Sequence, residues 1–360
     1  MQIHHVSGDY RKQRLPIFLN GFVLVIGLAF STLSVAEYQD PIDLVAQKTD
    51  AAKHSLLLDI AQAGERLVAV GERGHILFSD DAGHNWQQAD VPTRAHLNAL
   101  TFIDANRGWA VGEDAVILHT GDGGLHWQRQ FDDRDAEQKG PLLDVMFINP
   151  DEGVAVGVFN KIYRTQDGGN SWQPAPDSID NLDEWHLMAM ASSRPDQSQK
   201  PSTKTASKQQ DGAIYIGSEM GLMFRSIDGG QSFQPLQTDH DGSFHGILAR
   251  QDSSSGSEGV DQLVLVGVGG VVYTSLDSGQ NWNLLAADTD AGLAGGAWLP
   301  DGRALIVGAD GVILILSQDL QSVTKHQTDN GMPLSSVLAA SQEEIVVVGL
   351  GGVQTMPLPR

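Results

Sequence analysis

Five aspartates occupy matching places in a recurring phrase, S/T-x-D-x-G-x-x-W or its near copy: Asp81, Asp122, Asp167, Asp228 and Asp277. Two carboxylates that face one substrate could act as general acid and base, and clustered carboxylates could bind calcium. An Asp beside a Gly is also typical of a tight turn, in which the carboxylate accepts hydrogen bonds from nearby backbone N–H groups. The choice among the three depends on whether the fold brings the five together.

The aspartates belong to a longer repeat. Each phrase follows a short β-branched strand, a Gly, a tight turn and a second strand. This strand-turn-strand unit occurs at LVAVGERGHILFS (67–79), GWAVGEDAVILHT (108–120), GVAVGVFNKIYRT (153–165), AIYIGSEMGLMFRS (213–226), LVLVGVGGVVYTS (263–275), ALIVGADGVILIL (304–316) and IVVVGLGGVQTM (345–356). Repetition every 40 to 60 residues or so, with four short strands in a unit of roughly 45, is typical of propeller blades. The sequence therefore predicts an all-β fold, a single seven-bladed β-propeller.

The last unit predicts how the ring closes. Its inner, second and third strands are visible, and the chain then ends without an outer strand. We expect the segment PIDLVAQK (41–48) to supply it, because pairing the two ends of the chain removes two exposed strand edges. The prediction is a ring closed by an N-terminal strand that completes the last blade.

In such a ring the five aspartates are spread over five blades and cannot converge on one substrate, so they are interpreted as structural turn residues. The phrase resembles the Asp-box, or bacterial neuraminidase repeat. That resemblance implies an alternative function, a glycan-acting hydrolase or a glycan-binding protein. The features of sialidases are not recognisable here. The sequence has no FRIP-like segment, and Tyr163, Tyr215 and Tyr273, which could otherwise be candidate nucleophiles, fall within the repeat strands.

The beginning of the chain predicts export. Arg11, Lys12 and Arg14 precede an apolar run (17–30) and the small residues at 34–36, which is the order of a secretory signal peptide. We expect a signal peptide over 1–36, a propeller domain over 37–360 and a periplasmic location. A polar stretch at about 192–211 predicts a disordered insertion.

Charge and cysteine content restrict the partners. The chain has 23 Lys and Arg against 45 Asp and Glu, a formal net charge of −22, which disfavours binding to nucleic acid or anionic lipid. With no Cys, stability must come from a buried core rather than from disulfides. These features describe an exported globular protein, for which the sequence predicts no cofactor and no metal.

A second resemblance covers nearly the whole exported chain. The inner-strand phrases LLLDIA (56–61), LNALTFID (97–104) and LLDVMFINP (142–150), each followed by a Gly-rich second strand, resemble the photosystem II stability and assembly factor family. The resemblance implies a non-enzymatic scaffold that docks on a membrane protein or membrane-protein complex, and it makes an exporter of the resistance-nodulation-division class one candidate partner. The chain itself is expected to be a monomer. No membrane span is expected after signal cleavage.

Candidate partner-binding residues lie on the face opposite the Asp-box turns. Aligning the inner strands suggests a shared entry position for His54, His96, His186 and His245. These histidines could cap strand entries or form a docking face; a metal ring is disfavoured, because ligands must approach a zinc ion to about 2.1 Å. Glu113, Asp114 and Lys161 are expected on the same rim. The predicted partner-binding residues are Arg73, Arg94, His96, Trp185, His186 and His245.

Overall fold

The computed structural model describes residues 38–194, 212–252 and 259–360. The predicted signal peptide (1–36) and most of the predicted insertion (192–211) lie outside the described residues. Residues 39–360 form one compact unit. Its strands are β1 Leu57–Ala63, β2 Arg66–Gly71, β3 Ile76–Ser79, β4 Gln87–Gln88, β5 Leu97–Phe102, β6 Gly108–Gly112, β7 Ile117–Thr120, β8 Gln128–Phe131, β9 Leu142–Phe147, β10 Gly153–Gly157, β11 Ile162–Thr165, β12 Gln173–Pro174, β13 Leu187–Ser192, β14 Ile214–Ser218, β15 Leu222–Ser226, β16 Gln234–Gln237, β17 Phe244–Gln251, β18 Asp261–Gly267, β19 Val272–Ser275, β20 Asn283–Leu285, β21 Leu293–Trp298, β22 Ala304–Gly308, β23 Val312–Leu316, β24 Val323–Gln327, β25 Leu334–Ala339, β26 Glu344–Gly349 and β27 Gly352–Pro357.

Consecutive strands pair antiparallel into seven sheets, which confirms the predicted seven-bladed propeller. Blades 1 to 6 each hold four strands, β1–β4 through β21–β24, and blade 7 holds β25–β27 within the described residues. The first strands of successive blades contact one another around a central channel, and β25 contacts β1. Short 3-10 turns occur at Pro41–Asp43, Asp50–His54, Glu72–Gly74, Glu113–Ala115, Pro176–Ser178, Val268–Gly270 and Ala309–Gly311.

The second strand of each blade is its most buried element. All five residues of β6, β10, β14 and β22 are buried. Both sides of these strands face neighbouring blades, which is why they are continuous apolar runs rather than alternating ones. The Gly that ends such a strand is required by close packing: a Cβ at Gly112 would lie 1.8 Å from the carbonyl oxygen of His96.

The predicted closure by an N-terminal strand is wrong. Residues Pro41–Asp43 form a 3-10 turn capped by the Asp40 carboxylate, and no residue of 41–48 pairs with β27. The segment instead lies against the connection from β4 to β5: the Ala46 N–H donates to the Val91 carbonyl at 3.0 Å. Ile42 is fully buried in the core shared by blades 1 and 2. Burial of this side chain there explains why the segment does not extend along blade 7.

Face-to-face packing of blades 7 and 1 closes the ring. Leu57 of β1 and Val348 of β26 share one apolar cluster. The Ser336 hydroxyl donates to Asp59 at 2.9 Å, and the Thr355 hydroxyl donates to the Gly83 carbonyl at 2.7 Å. Side-chain contacts therefore join the two blades without a shared strand in the described residues.

The antiparallel order defines two faces. The upper face carries the connections between first and second strands and between third and fourth strands, including the Asp-box turns. The lower face carries the connections between second and third strands, and those from the outer strand of one blade to the inner strand of the next. The predicted partner-binding residues belong to lower-face connections, except His245, which lies in an inner strand.

Candidate partner-binding face

A bulge in the inner strand of each blade determines which side chains face the channel. The pairing of β1 with β2 shifts between Leu57 and Asp59, and the six other inner strands shift at the equivalent point. The cavity inside has a volume of about 320 Å³ and is lined by residues from all seven inner strands, among them Asp59, Asn98, Asp144 and His245.

The two channel aspartates connect neighbouring blades. Asp59 accepts a hydrogen bond from the Leu100 N–H of blade 2 at 3.0 Å, and Asp144 accepts one from the Met190 N–H of blade 4 at 2.6 Å. Burial raises the pKa of Asp59 to about 6 and that of Asp144 to about 7, against the opposing effect of these hydrogen bonds. Both carboxylates are thus engaged in the channel wall.

The five Asp-box carboxylates make the same local bonds in each blade. In blade 2, Asp122 accepts from the Leu125 N–H at 3.1 Å, the His126 N–H at 3.0 Å and the Thr120 hydroxyl at 2.9 Å. The Thr120 hydroxyl in turn accepts from the Gly124 N–H at 3.0 Å. These bonds hold the pKa of Asp122 below its ordinary value, although burial opposes them. Equivalent bonds surround Asp81, Asp167, Asp228 and Asp277.

Loss of one Asp-box carboxylate should therefore lower the stability of the fold and leave partner binding by the folded protein unchanged. Asp122→Ala leaves two backbone N–H donors and one hydroxyl without their acceptor, so we expect the free energy of unfolding to fall by about 1 kcal/mol. Urea unfolding measures the change, with Asp151→Ala as the control, because Asp151 is an exposed upper-face acid whose carboxylate makes no hydrogen bond among the described residues. Calcium should not restore the loss; a calcium-dependent rescue would show that the turn is a cation site.

The predicted histidine alignment is only partly right. His96 and His186 each precede the first buried residue of an inner strand, Leu97 or Leu187. His245 instead follows Phe244 and lines the channel, whereas His54 is the exposed last residue of a 3-10 turn and lies three residues before β1. The inner-strand bulge and the 3-10 turn separate these positions, which spacing along the sequence could not resolve.

The predicted rim residues fall into two groups. Arg73, Arg94 and His96 are exposed on blades 1 and 2, and the Arg94 Nε donates to the Val45 carbonyl at 2.9 Å, so this side chain fastens the N-terminal segment. Glu113 is exposed and Asp114 half-buried on the same blades, as expected for the rim. Lys161, in contrast, is buried with 9 % of its surface exposed and offers little to a partner.

Trp185 and His186 form the second group, where the chain enters blade 4. The Trp185 N–H donates to Asn181 at 3.1 Å and the His186 N–H donates to Glu219 at 2.9 Å. The His186 ring packs edge-on against Phe159, with 4.9 Å between centroids. Burial lowers the pKa of His245 in the adjoining channel, although the charge of Glu219 opposes this. These contacts fix one side of the channel mouth.

The lower face also carries a set of exposed apolar side chains that were not predicted from the sequence. Six of the eleven exposed large hydrophobic side chains in the described residues lie there, on connections of blades 3 to 7. We call them the apolar tips: Phe159, Leu182, Met220, Val268, Met332 and Leu350. A signal was present in the repeat, since GVFNK, SEMG, GVGG and GLGG carry an apolar residue where a turn tip is ordinarily polar.

Exposed acids accompany the apolar tips. We call the following side chains the acidic arc: Asp180, Asp183, Glu184, Asp239, Asp241, Asp288, Asp290 and Asp329. The lower-face connections that enter blades 4 to 7, all within the described residues, contain neither Lys nor Arg. Lys325, on the outer strand β24, donates to the carbonyl oxygen of Asp288 rather than to a carboxylate. The apolar tips are thus set in a negatively charged surface.

Two further observations concern metals and membranes. Among the residues that the structure describes, no group of three or more His, Asp or Glu side chains has the proximity that a metal ion requires. Nor does this part of the chain contain a helix with the length and hydropathy needed to cross a membrane.

Comparison with known proteins gives one family over most of the chain. The family described as photosynthesis system II assembly factor YCF48 matches residues 41–138, 78–173 and 133–352. Photosystem II assembly protein Ycf48 of Synechococcus sp. (strain JA-3-3Ab) is 49% identical over 45 residues, which are 12% of this chain and 14% of that protein. Photosystem II assembly lipoprotein Ycf48 of Synechococcus sp. (strain CC9605) is 33% identical over 60 residues, 17% of this chain and 18% of that protein. The matches thus span less than a fifth of these relatives.

A solved structure matches the fold over a longer range. The chain resembles the structure described as YCF48 bound to D1 peptide with a TM-score of 0.62 and 20% identity, over 90% of this chain and 99% of that one. At this identity the likeness concerns the propeller fold.

Proposed function

Because the chain belongs to the photosystem II assembly factor Ycf48 family, we propose that it is a protein-binding scaffold that assists the assembly or stability of a membrane protein complex. The names of its relatives, which describe assembly proteins, support this function. The proposal does not specify a photosystem as the partner, because the matched segments cover less than a fifth of the relatives that are named for photosystem II assembly.

The partner is proposed to dock on the lower face. The observation that carries this proposal is the collection of the six apolar tips on one face, around the mouth of the channel. Exposed apolar groups that are grouped rather than scattered mark interaction sites in soluble proteins. Trp185 and His186 contribute beside Phe159, and Arg73 and His96 extend the face over blades 1 and 2. His245 belongs to the channel wall behind it.

We propose a non-enzymatic role for this surface. The Asp-box carboxylates are each occupied by their own turn, and Asp59 and Asp144 accept backbone hydrogen bonds in the channel wall. These contacts favour a structural role for the carboxylates over a role in binding or hydrolysing glycans. None of the relatives described above is named for an exporter. We therefore propose a membrane protein as the partner, without assigning it to the exporter class.

An exported location is part of the proposal. The charge and apolar pattern of residues 11–36 supports a signal peptide, and one relative is named a lipoprotein, which is consistent with export. Expression of the full chain, with N-terminal sequencing of the periplasmic product, tests cleavage near Ala36 and the start of the propeller domain at 37.

Two matched variants test the docking face. Met220 and Val268 lie in the turns that precede β15 and β19, and Ile227 and Leu276 directly follow these two strands; all four are exposed. Met220→Ser with Val268→Ser removes apolar area from the lower face. We expect co-purification of the partner from crosslinked native membranes to fall by about tenfold, the scale of losing a central interface contact.

Ile227→Ser with Leu276→Ser is the control, because it removes similar apolar area from the upper face of the same two blades. It should leave capture unchanged. If the control pair loses the partner while the lower-face pair retains it, the proposed face is wrong. If purified protein hydrolyses members of a glycan panel, the scaffold function is wrong.

A further inference from the structure

The acids around the apolar tips lack basic residues in their own connections, whereas several acids on the upper face pair with arginines. Three upper-face acids are paired with arginines: Arg66 pairs with Asp80 at 2.7 Å, Arg107 with Asp104 at 2.7 Å and Arg303 with Asp301 at 2.8 Å. The acidic arc has no arginine or lysine in its own connections. In the part of the chain that the structure describes, the side chains of Asp183 and Asp241 make no hydrogen bond and no ion pair. Their negative charge is therefore available to a ligand.

We propose that the lower face binds a cationic, apolar polypeptide segment, in which Leu-like side chains contact the apolar tips and Lys or Arg side chains pair with the acidic arc. This proposal rests on the proposed docking function and specifies the chemistry of the partner. An anionic segment or lipid surface would meet repulsion from the arc, while a purely apolar one would leave these carboxylates unmatched. Charge complementarity at a rim speeds association, and burial of the apolar tips supplies affinity.

Labelled synthetic peptides of equal length test the specificity. One contains Leu and Lys, a second Leu and Glu, and a third Ser and Lys, and fluorescence anisotropy measures binding to the folded protein. We expect the Leu/Lys peptide to bind at least about tenfold more tightly than either of the others, and added salt to weaken it. Equal binding of the Leu/Glu peptide would overturn the proposal. So would equal binding of the Ser/Lys peptide, which would show an attraction without apolar recognition.

Charge reversal at the arc is the second part of the test. Asp183→Lys with Asp241→Lys should reduce binding of the Leu/Lys peptide by about tenfold and reduce its salt dependence. Glu65→Lys with Asp151→Lys introduces the same charge change on exposed sites of the upper face and should leave binding unchanged. Equal loss in both variants would show that only the net charge of the protein matters, and the proposal would fail.

The outcomes separate this inference from the docking function. If Met220→Ser with Val268→Ser abolishes membrane-partner capture while arc reversal leaves both capture and peptide binding unchanged, the docking function stands and the cationic partner is wrong. If sedimentation shows that the protein self-associates through the apolar tips at the concentrations used, a second copy of this chain is the occupant and the proposal is also wrong.

Discussion

Removal of all residues before His54 is expected to destabilise the propeller severely, although the segment adds no strand to blade 7. Ile42, Ala46 and Ala52 are buried, the first two in the core of blades 1 and 2 and the third in the core between blades 1 and 7. Deletion uncovers their apolar contacts, so we expect the free energy of unfolding to fall by about 4 kcal/mol or more. Urea unfolding and size-exclusion chromatography of the truncated and longer chains measure the loss.

A chain that begins at Gln39 is the control, because it keeps the Asp40 cap and the contact of Asp43 with Arg134 at 2.6 Å. It should unfold like a chain that begins at Glu37, directly after the predicted signal peptide. Ile42→Ala in that background should reproduce about 2 to 4 kcal/mol of the loss. Normal stability of both the truncated chain and Ile42→Ala would contradict the conclusion that this segment stabilises the core of blades 1 and 2.

The second large effect concerns pH and the channel carboxylates. The pKa of Asp144 is raised from an ordinary 3.8 to about 7 in the folded protein. The folded state therefore holds a proton that the unfolded state has already released, and stability falls as pH rises between about 4 and 8. At about 1.4 kcal/mol per pKa unit, this contribution amounts to a few kcal/mol. We expect wild-type stability to fall relative to Asp144→Asn over that pH range.

Urea midpoints at stepwise pH values, compared between wild type and Asp144→Asn, isolate this effect from other titrations. Since the charge of Asp59 also raises the pKa of Asp144, Asp59→Asn should weaken the same dependence, and the double variant should be non-additive. Asp122→Asn supplies a control of opposite sign, because a lowered pKa stabilises the folded state above the unfolded value and loses that contribution as pH falls. Parallel curves for wild type and Asp144→Asn would refute the channel assignment.

The face that carries the candidate site could be predicted from the sequence, but the grouping of its residues could not. The lower face was predicted from strand order alone, since alternate connections of an antiparallel meander must emerge on alternate faces. Trp185, His186, Arg73 and His96 do lie at or beside lower-face connections. Their grouping was not predictable, because it depends on which blades are neighbours and on how each connection folds. Phe159 was not predicted, because its contact with His186 joins connections of two different blades.

The sequence by itself determined the blades, because their signals are local. The β-branched runs of strands such as β6 and the bonds from Asp122 to residues within four positions of it act over one strand or one turn. Tertiary structure alone decided three other features: the burial of Ile42 between blades 1 and 2, the strand-free closure through Ser336 and Asp59, and the bulge that turns His245 into the channel. These depend on contacts between distant segments, and a shift of one residue in a strand reverses the direction of a side chain.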